Sequence, residues 1–184
     1  MSRAAGGLRR VLDALYAASG AVAAAFVFLI FATMMATTAL RTMGLRTGGS
    51  DDVVSWMTAA AAFFGLAHTF KHGDFVRVQL LLDSLAPAPR RAFETGSLAL
   101  ATLFLGYTTW AVASYVLDSW RFGDVAGGLV PIPIWIPQAS FVAGAALLFV
   151  AFADELVRVL RGARPSYVVA VEQRHARGDF SEDV

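Results

Sequence analysis

The chain has 184 residues, of which 57% are hydrophobic and 16% charged, and its formal net charge is +1. Charged residues make up about 25% of an ordinary soluble domain, so the deficit points to lipid, and the near-neutral balance excludes a basic field that would bind nucleic acid. Without a cysteine there are no disulfides, thiolate metal sites, iron–sulfur clusters or cysteine nucleophiles.

The charges fall in five polar stretches separated by four long charge-free windows, the pattern of an all-α integral membrane protein with four transmembrane helices. The first window, residues 14–40, holds 27 residues without a charge. At 1.5 Å per residue it is roughly 40 Å long, enough to cross the hydrocarbon with some tilt. Arg9 and Arg10 precede it as they would a signal peptide, but such an apolar region is only about 7–15 residues long, so the segment reads as a span. The second window, 53–70, is close to the lower limit at 18 residues. Its Ala59–Ala62 run, Gly65 and Ala67 suit close helix approach. Asp51 and Asp52 stand just before it, where they would either cap the helix at its positive pole or meet a partner.

The stretch from Lys71 to Glu94 is too apolar for a free loop: between Gly73 and Pro87 it holds Phe75, Val76, Val78, Leu80, Leu81, Leu82 and Leu85. It is too short to span, and with Arg77, Gln79, Asp83 and Ser84 outward it suits an interfacial amphipathic helix of about residues 74–86. A plain extension of the second helix is the alternative. Arg77 would contact lipid phosphate or a partner. The third window is about 95–117. The fourth lies between Asp124 and Asp154, where Pro131, Pro133 and Pro137 delay the regular helix to about 134–153. Residues 1–167 thus form one four-helix membrane domain, and 168–184 a polar tail, disordered or weakly helical.

Lys and Arg set the direction. The N-terminal stretch, the middle loop and the C-terminal stretch together carry 12 of them, and the two remaining loops 3. The positive-inside rule then puts both termini and the middle loop in the cytoplasm, N-in and C-in. Trp56, Trp120 and Trp135 lie near the opposite helix ends, where indoles favour the headgroup region.

None of the windows contains Asp, Glu, Lys or Arg. An intramembrane ionisable group is the usual mark of an ion path or proton relay, and paired Gly/Pro-broken segments the usual pointer to a substrate site. No such acid or base of those four types and no such paired segments are present, so the chain is not expected to move a solute alone. His68 and His72, four apart on one helical face, are the only candidate cofactor ligands; a haem or quinone oxidoreductase subunit would use them, and an interfacial packing role is the plainer reading. No cofactor, metal or catalytic residue is expected. Gly20/Ala24 and Ser140/Gly144 have the spacing of close helix contacts, which a chain this rich in Ala and Gly also produces by chance.

The run Gly73…Val76-Arg77-Val78-Gln79-Leu80-Leu81 followed by a Pro/Arg-rich turn resembles the small permease subunit of TRAP transporters (tripartite ATP-independent periplasmic transporters), the DctQ-like family. Asp51-Asp52 with Trp56 resembles the family's approach to its second helix. Gly128, Pro131, Pro133, Trp135 and Pro137 with Gly144 resemble its approach to the fourth, and Gly162-Ala163-Arg164-Pro165-Ser166-Tyr167 its ending. The order of these motifs, over about residues 10–167, carries the match. The chain departs from it at Phe75-Val76-Arg77-Val78-Gln79, where many members have His-Ile-Arg-Val-Asp.

The resemblance implies a scaffold subunit in the bacterial inner membrane. Its partners would be a large permease of about 12 helices on another chain, which holds the substrate and sodium sites, and a periplasmic solute-binding protein delivering an organic acid. Asp51, Asp52, Trp56, Gly73, Arg77, Trp120, Pro131 and Trp135 are the candidate contacts to these partners or to membrane lipids. A stand-alone membrane assembly protein is the remaining alternative.

Overall fold

A computed structural model describes residues 2–73, 87–127 and 131–177. They form four long helices, α1 (Ser2–Thr42), α2 (Ser50–His72), α3 (Pro87–Phe122) and α4 (Trp135–Leu160), and a short fifth, α5 (Ser166–Ala176). Each long helix is apolar enough over sufficient length to cross a membrane. The interfacial helix expected at about 74–86, with Arg77, lies outside the described residues, as does Gly128.

Each long helix contains its charge-free window and runs beyond it at both ends, except that α4 begins only at Trp135, inside its window, with Pro137 in its first turn. A proline is tolerated there because the first-turn N–H groups have no intrahelical acceptor. Charges do not end the helices; backbone geometry does. Gly73 and Gly162, both at left-handed φ (84° and 79°), close α2 and α4, and after α4 the N–H of Ala163 reaches back to the Arg158 carbonyl at 3.2 Å. This is a Schellman ending, which needs a residue without a Cβ penalty at positive φ. The segment before α4 is held by a bridge between Val125 and Pro133. Within it Ala126 N donates to Ile132 O at 2.9 Å and Ile134 N to Asp124 O at 3.0 Å.

The spanning helices lie in a row. α1 packs along α2, α2 along α4 and α4 along α3, while α5 folds back onto α2. A closed bundle would bring α1 and α3 into extended contact, and they make none among the described residues. Burial follows the order: the most apolar stretch of α3 has no buried residue, whereas α2 and α4 carry Ala60, Ala67, Phe70, Gly144, Ala145, Leu148 and Ala151 in the interior. α1 and α3 instead expose large apolar side chains, among them Phe28, Phe31, Leu103, Phe104 and Trp110. Such a surface would aggregate in water; in lipid it is matched by hydrocarbon on every side, and association depends on close packing instead.

Close packing is supplied by glycine at the α2–α4 and α1–α2 contacts. A Cβ on Gly144 would stand 2.6 Å from Phe63 Cβ and 2.7 Å from its carbonyl carbon, so the backbones of α2 and α4 nearly touch. One on Gly20 would strike the His68 ring at 2.7 Å. Both glycines belong to the small-residue pairs noted in the sequence. Aromatic pairs fill the rest: Phe63 meets Phe141 edge-on at 3.8 Å between centroids, and Phe70 stacks on Phe152 at 3.9 Å.

Candidate functional site: a polar cluster at one end of the row

α2 and α4 run parallel, so their C-terminal ends lie side by side, and there the apolar packing gives way to charge. Lys71, in the last turn of α2, extends its ammonium to Asp154 Oδ2 at 2.6 Å and Glu155 Oε2 at 3.1 Å on α4. Glu155 is wholly buried. Besides Lys71, it accepts hydrogen bonds from the main-chain N–H and the hydroxyl of Ser166. A buried carboxylate is tolerable only when its oxygens are paired in this way. Since Ser166 opens α5, the carboxylate also sits at that helix's positive pole and caps it from a neighbouring element.

The cluster draws in α1 and the rest of α5. The Lys71 ammonium lies 5.2 Å from the Tyr16 ring centroid, within cation–π range. Tyr16 and Tyr167 are buried in the same cluster as Phe70, whose ring lies 5.8 Å from that of Tyr167. Arg174 of α5 donates to the His72 carbonyl at 3.0 Å, satisfying an end-of-helix oxygen. Gly73 belongs to this joint: a side chain there would collide with the Tyr167 carbonyl at 2.8 Å and Val171 at 2.9 Å. The tail boundary drawn on composition at residue 168 therefore falls inside a packed helix. Glu155 and Tyr167 hold α5 against the membrane domain, which its own mixed polar sequence did not announce.

His68 and His72 are engaged in packing. His68 Nδ1 lies 3.2 Å from the Tyr16 carbonyl and His72 Nδ1 2.9 Å from the His68 carbonyl, each able to donate in the Nδ1–H tautomer. Their rings meet at 4.0 Å between centroids, tilted by 32°, and His68 fills the notch left by Gly20. Among the described residues, no group of three or more His, Cys, Asp or Glu is placed to hold a metal ion.

The remaining sequence candidates sit at the other end of the row and do not converge. Asp51 and Asp52 lie in the first turn of α2 behind Gly49, the residue at the N-cap, which contributes no side-chain cap. Asp51 faces Arg41 across 3.7 Å, both largely exposed. Trp120 and Pro131 are exposed, while Trp56 and Trp135 are half-buried. Of the residues that do converge, Lys71, Asp154, Glu155 and Ser166 were missed because they fall outside the charge-free windows, and Tyr16 because inside its window it reads as one more apolar residue of a span. A signal existed: in a four-span chain the second and fourth helices run the same way, so a Lys just past one window and two acids just past the other lie at equal depth.

Fold and cluster together define a multi-pass membrane protein whose paired charges tie helices to one another at one end. The family model of the DctQ component of tripartite ATP-independent periplasmic transporters matches residues 30–162. The chain belongs to that family, as the small permease component of a TRAP transporter; the family is a transporter component and not an enzyme family. No curated protein matches the sequence.

Proposed function

We propose that this chain is a non-catalytic scaffold in a sodium-coupled, binding-protein-dependent importer of an organic acid. A separate large permease of about 12 helices holds the substrate and sodium sites, and a periplasmic solute-binding protein delivers the acid. Both termini and the polar cluster lie on the cytoplasmic side of the bacterial inner membrane, the orientation supported by the bias of Lys and Arg to that end.

One observation carries the scaffold reading. The charge-free cores of the four helices contain no Asp, Glu, Lys or Arg, and the buried carboxylate nearest to them, Glu155, is consumed by Lys71 and Ser166. A charged group within the membrane is the usual mark of a transport path, and this arrangement instead offers a braced wall. Asp51, Asp52, Trp56 and Trp120, at the loosely tied end, are the proposed contacts to the large permease or the docked binding protein, with Pro131 and Trp135 beside them. Arg77 is proposed to serve the opposite face, toward lipid or partner, whereas Gly73, packed against Tyr167 and Val171, serves the α5 joint.

The test is transport in liposomes. The purified chain alone is expected to take up no organic acid under a sodium gradient, and uptake is expected once its cognate large permease and loaded binding protein are added. Sodium-driven uptake by this chain alone would overturn the proposal.

A further inference from the structure

α3 is the barest of the spanning helices: its most apolar stretch buries nothing, and its one extended contact among the described residues is with α4. Leu100, Leu103, Phe104, Tyr107 and Trp110 recur at helical spacing and turn one face outward. Tyr107 is 65% exposed and Trp110 66%, and their rings lie 6.0 Å apart. The charge-free window 95–117 has its middle at residue 106, so along the axis Tyr107 stands about 1.5 Å beyond mid-window and Trp110 about 6 Å. The hydrocarbon extends about 15 Å either way. Helical side chains lean toward the N-terminus, which carries the indole back toward the middle and away from the nearer headgroups.

Hydrocarbon matches both rings but neither polar atom. The hydroxyls of Thr108 and Ser114 on the same helix return to its own carbonyls, of Phe104 and Trp110, at 2.9 Å. Phenol and indole are held too far from the backbone to do the same, and among the described residues neither the Tyr107 hydroxyl nor the Trp110 N–H has a hydrogen-bond partner. At the same depth α1 exposes Val27, Phe28, Leu29 and Phe31, which carry no polar side-chain atom. Lipid therefore completes the edge at α1 and leaves two donors open on α3, where no water reaches them.

We propose that this face of α3 seats a spanning helix of the large permease, one that brings hydrogen-bond acceptors to mid-membrane for Tyr107 Oη–H and Trp110 Nε1–H. The identity of the partner rests on the scaffold function proposed above; the choice of α3 over α1 does not. A second copy of this chain would bring the same surplus of donors, because indole only donates and two facing phenols satisfy just one of their two O–H groups. An unbroken apolar helix has no acceptor to spare, since its carbonyls are used along its own axis. The occupant therefore carries Ser, Thr, Asn or Gln at this depth, or a carbonyl freed at a break in its helix.

The experiment is photocrosslinking in membranes that hold the full chain and its cognate large permease. Benzoylphenylalanine at Leu103 or Phe104 is expected to join the permease, and the same probe at Phe28 or Phe31 of α1 to join none. Tyr107→Phe with Trp110→Phe, which keeps a ring at both positions, is expected to leave thermal unfolding of the isolated chain unchanged. It should weaken the purified complex about tenfold, which is what two interhelical hydrogen bonds in a membrane amount to. Phe28→Leu with Phe31→Leu should leave the complex as it was. Crosslinks from α1 as strong as those from α3, or an unchanged complex in the double Phe variant, would overturn the docking face while leaving the partnership itself intact. Crosslinks between two copies through α3 would assign the face to self-association and overturn it as well. A chain that does not co-purify with the permease at all would remove the partner, and with it both this proposal and the scaffold function.

Discussion

The two ends of the helix row are built on different terms. At one, Lys71 pairs with Asp154 and with the buried Glu155, which also holds Ser166, and α1, α2, α4 and α5 converge there. At the other, Arg41 and Asp51 stand 3.7 Å apart and Asp118 and Arg121 3.9 Å apart, all of them mostly exposed. The chemistry is the same, carboxylate against cation, but the consequences differ. Exposed pairs contribute about 0–1 kcal/mol and are screened by salt, whereas removing one member of a buried pair leaves an uncompensated charge. One end is fastened; the other keeps its charges available to something outside the chain.

That contrast can be broken deliberately. Glu155→Leu should have the largest effect, about 3–5 kcal/mol of destabilisation, because it orphans the Ser166 N–H and leaves Lys71 with half its partners. Thermal unfolding in detergent should show the loss, and tryptic cleavage after Arg161 and Arg164 should accelerate as α5 detaches. Next is Gly144→Val, whose added atoms have only the backbone of Phe63 to displace; a cost of about 1–3 kcal/mol is expected, read as loss of folded protein on size-exclusion chromatography. Smallest should be Asp51→Asn with Arg41→Gln, within about 0.5 kcal/mol in the isolated chain. If that pair proved as costly to lose as Glu155, the two ends would not differ as described.

The sequence made the spans plain and hid the joints. Charge-free windows report where a helix can meet hydrocarbon, which is why the first three windows lie wholly inside their helices and the fourth, interrupted by prolines, only in part. They say nothing of where the helix stops, because Lys71 and Glu155 are as acceptable in a helix as Leu. Termination depends on left-handed glycines such as Gly73 and Gly162, whose φ sequence alone does not assign. Gly20 and Gly144 were visible as small residues, but only the neighbouring backbones distinguish a contact from chance composition. The Lys71 pairing spans 83 and 84 residues, and its legibility rested on topology, not on any local motif. α5 was hidden for a related reason: its stability comes from a carboxylate eleven residues upstream and from Tyr167, not from its own propensity.

The row has a mechanical consequence. Four helices side by side, at about 8–10 Å spacing, make a wall on the order of 30 Å wide and one helix thick. Among the described residues the extended contacts lead from α1 to α3 through α2 and then α4, so the joints act in series and the softest sets the stiffness of the whole. The middle joint, where every such load must cross, is the one that carries both the Gly144 backbone contact and the buried ions. A neighbour that moves against either edge would therefore meet resistance decided at the centre.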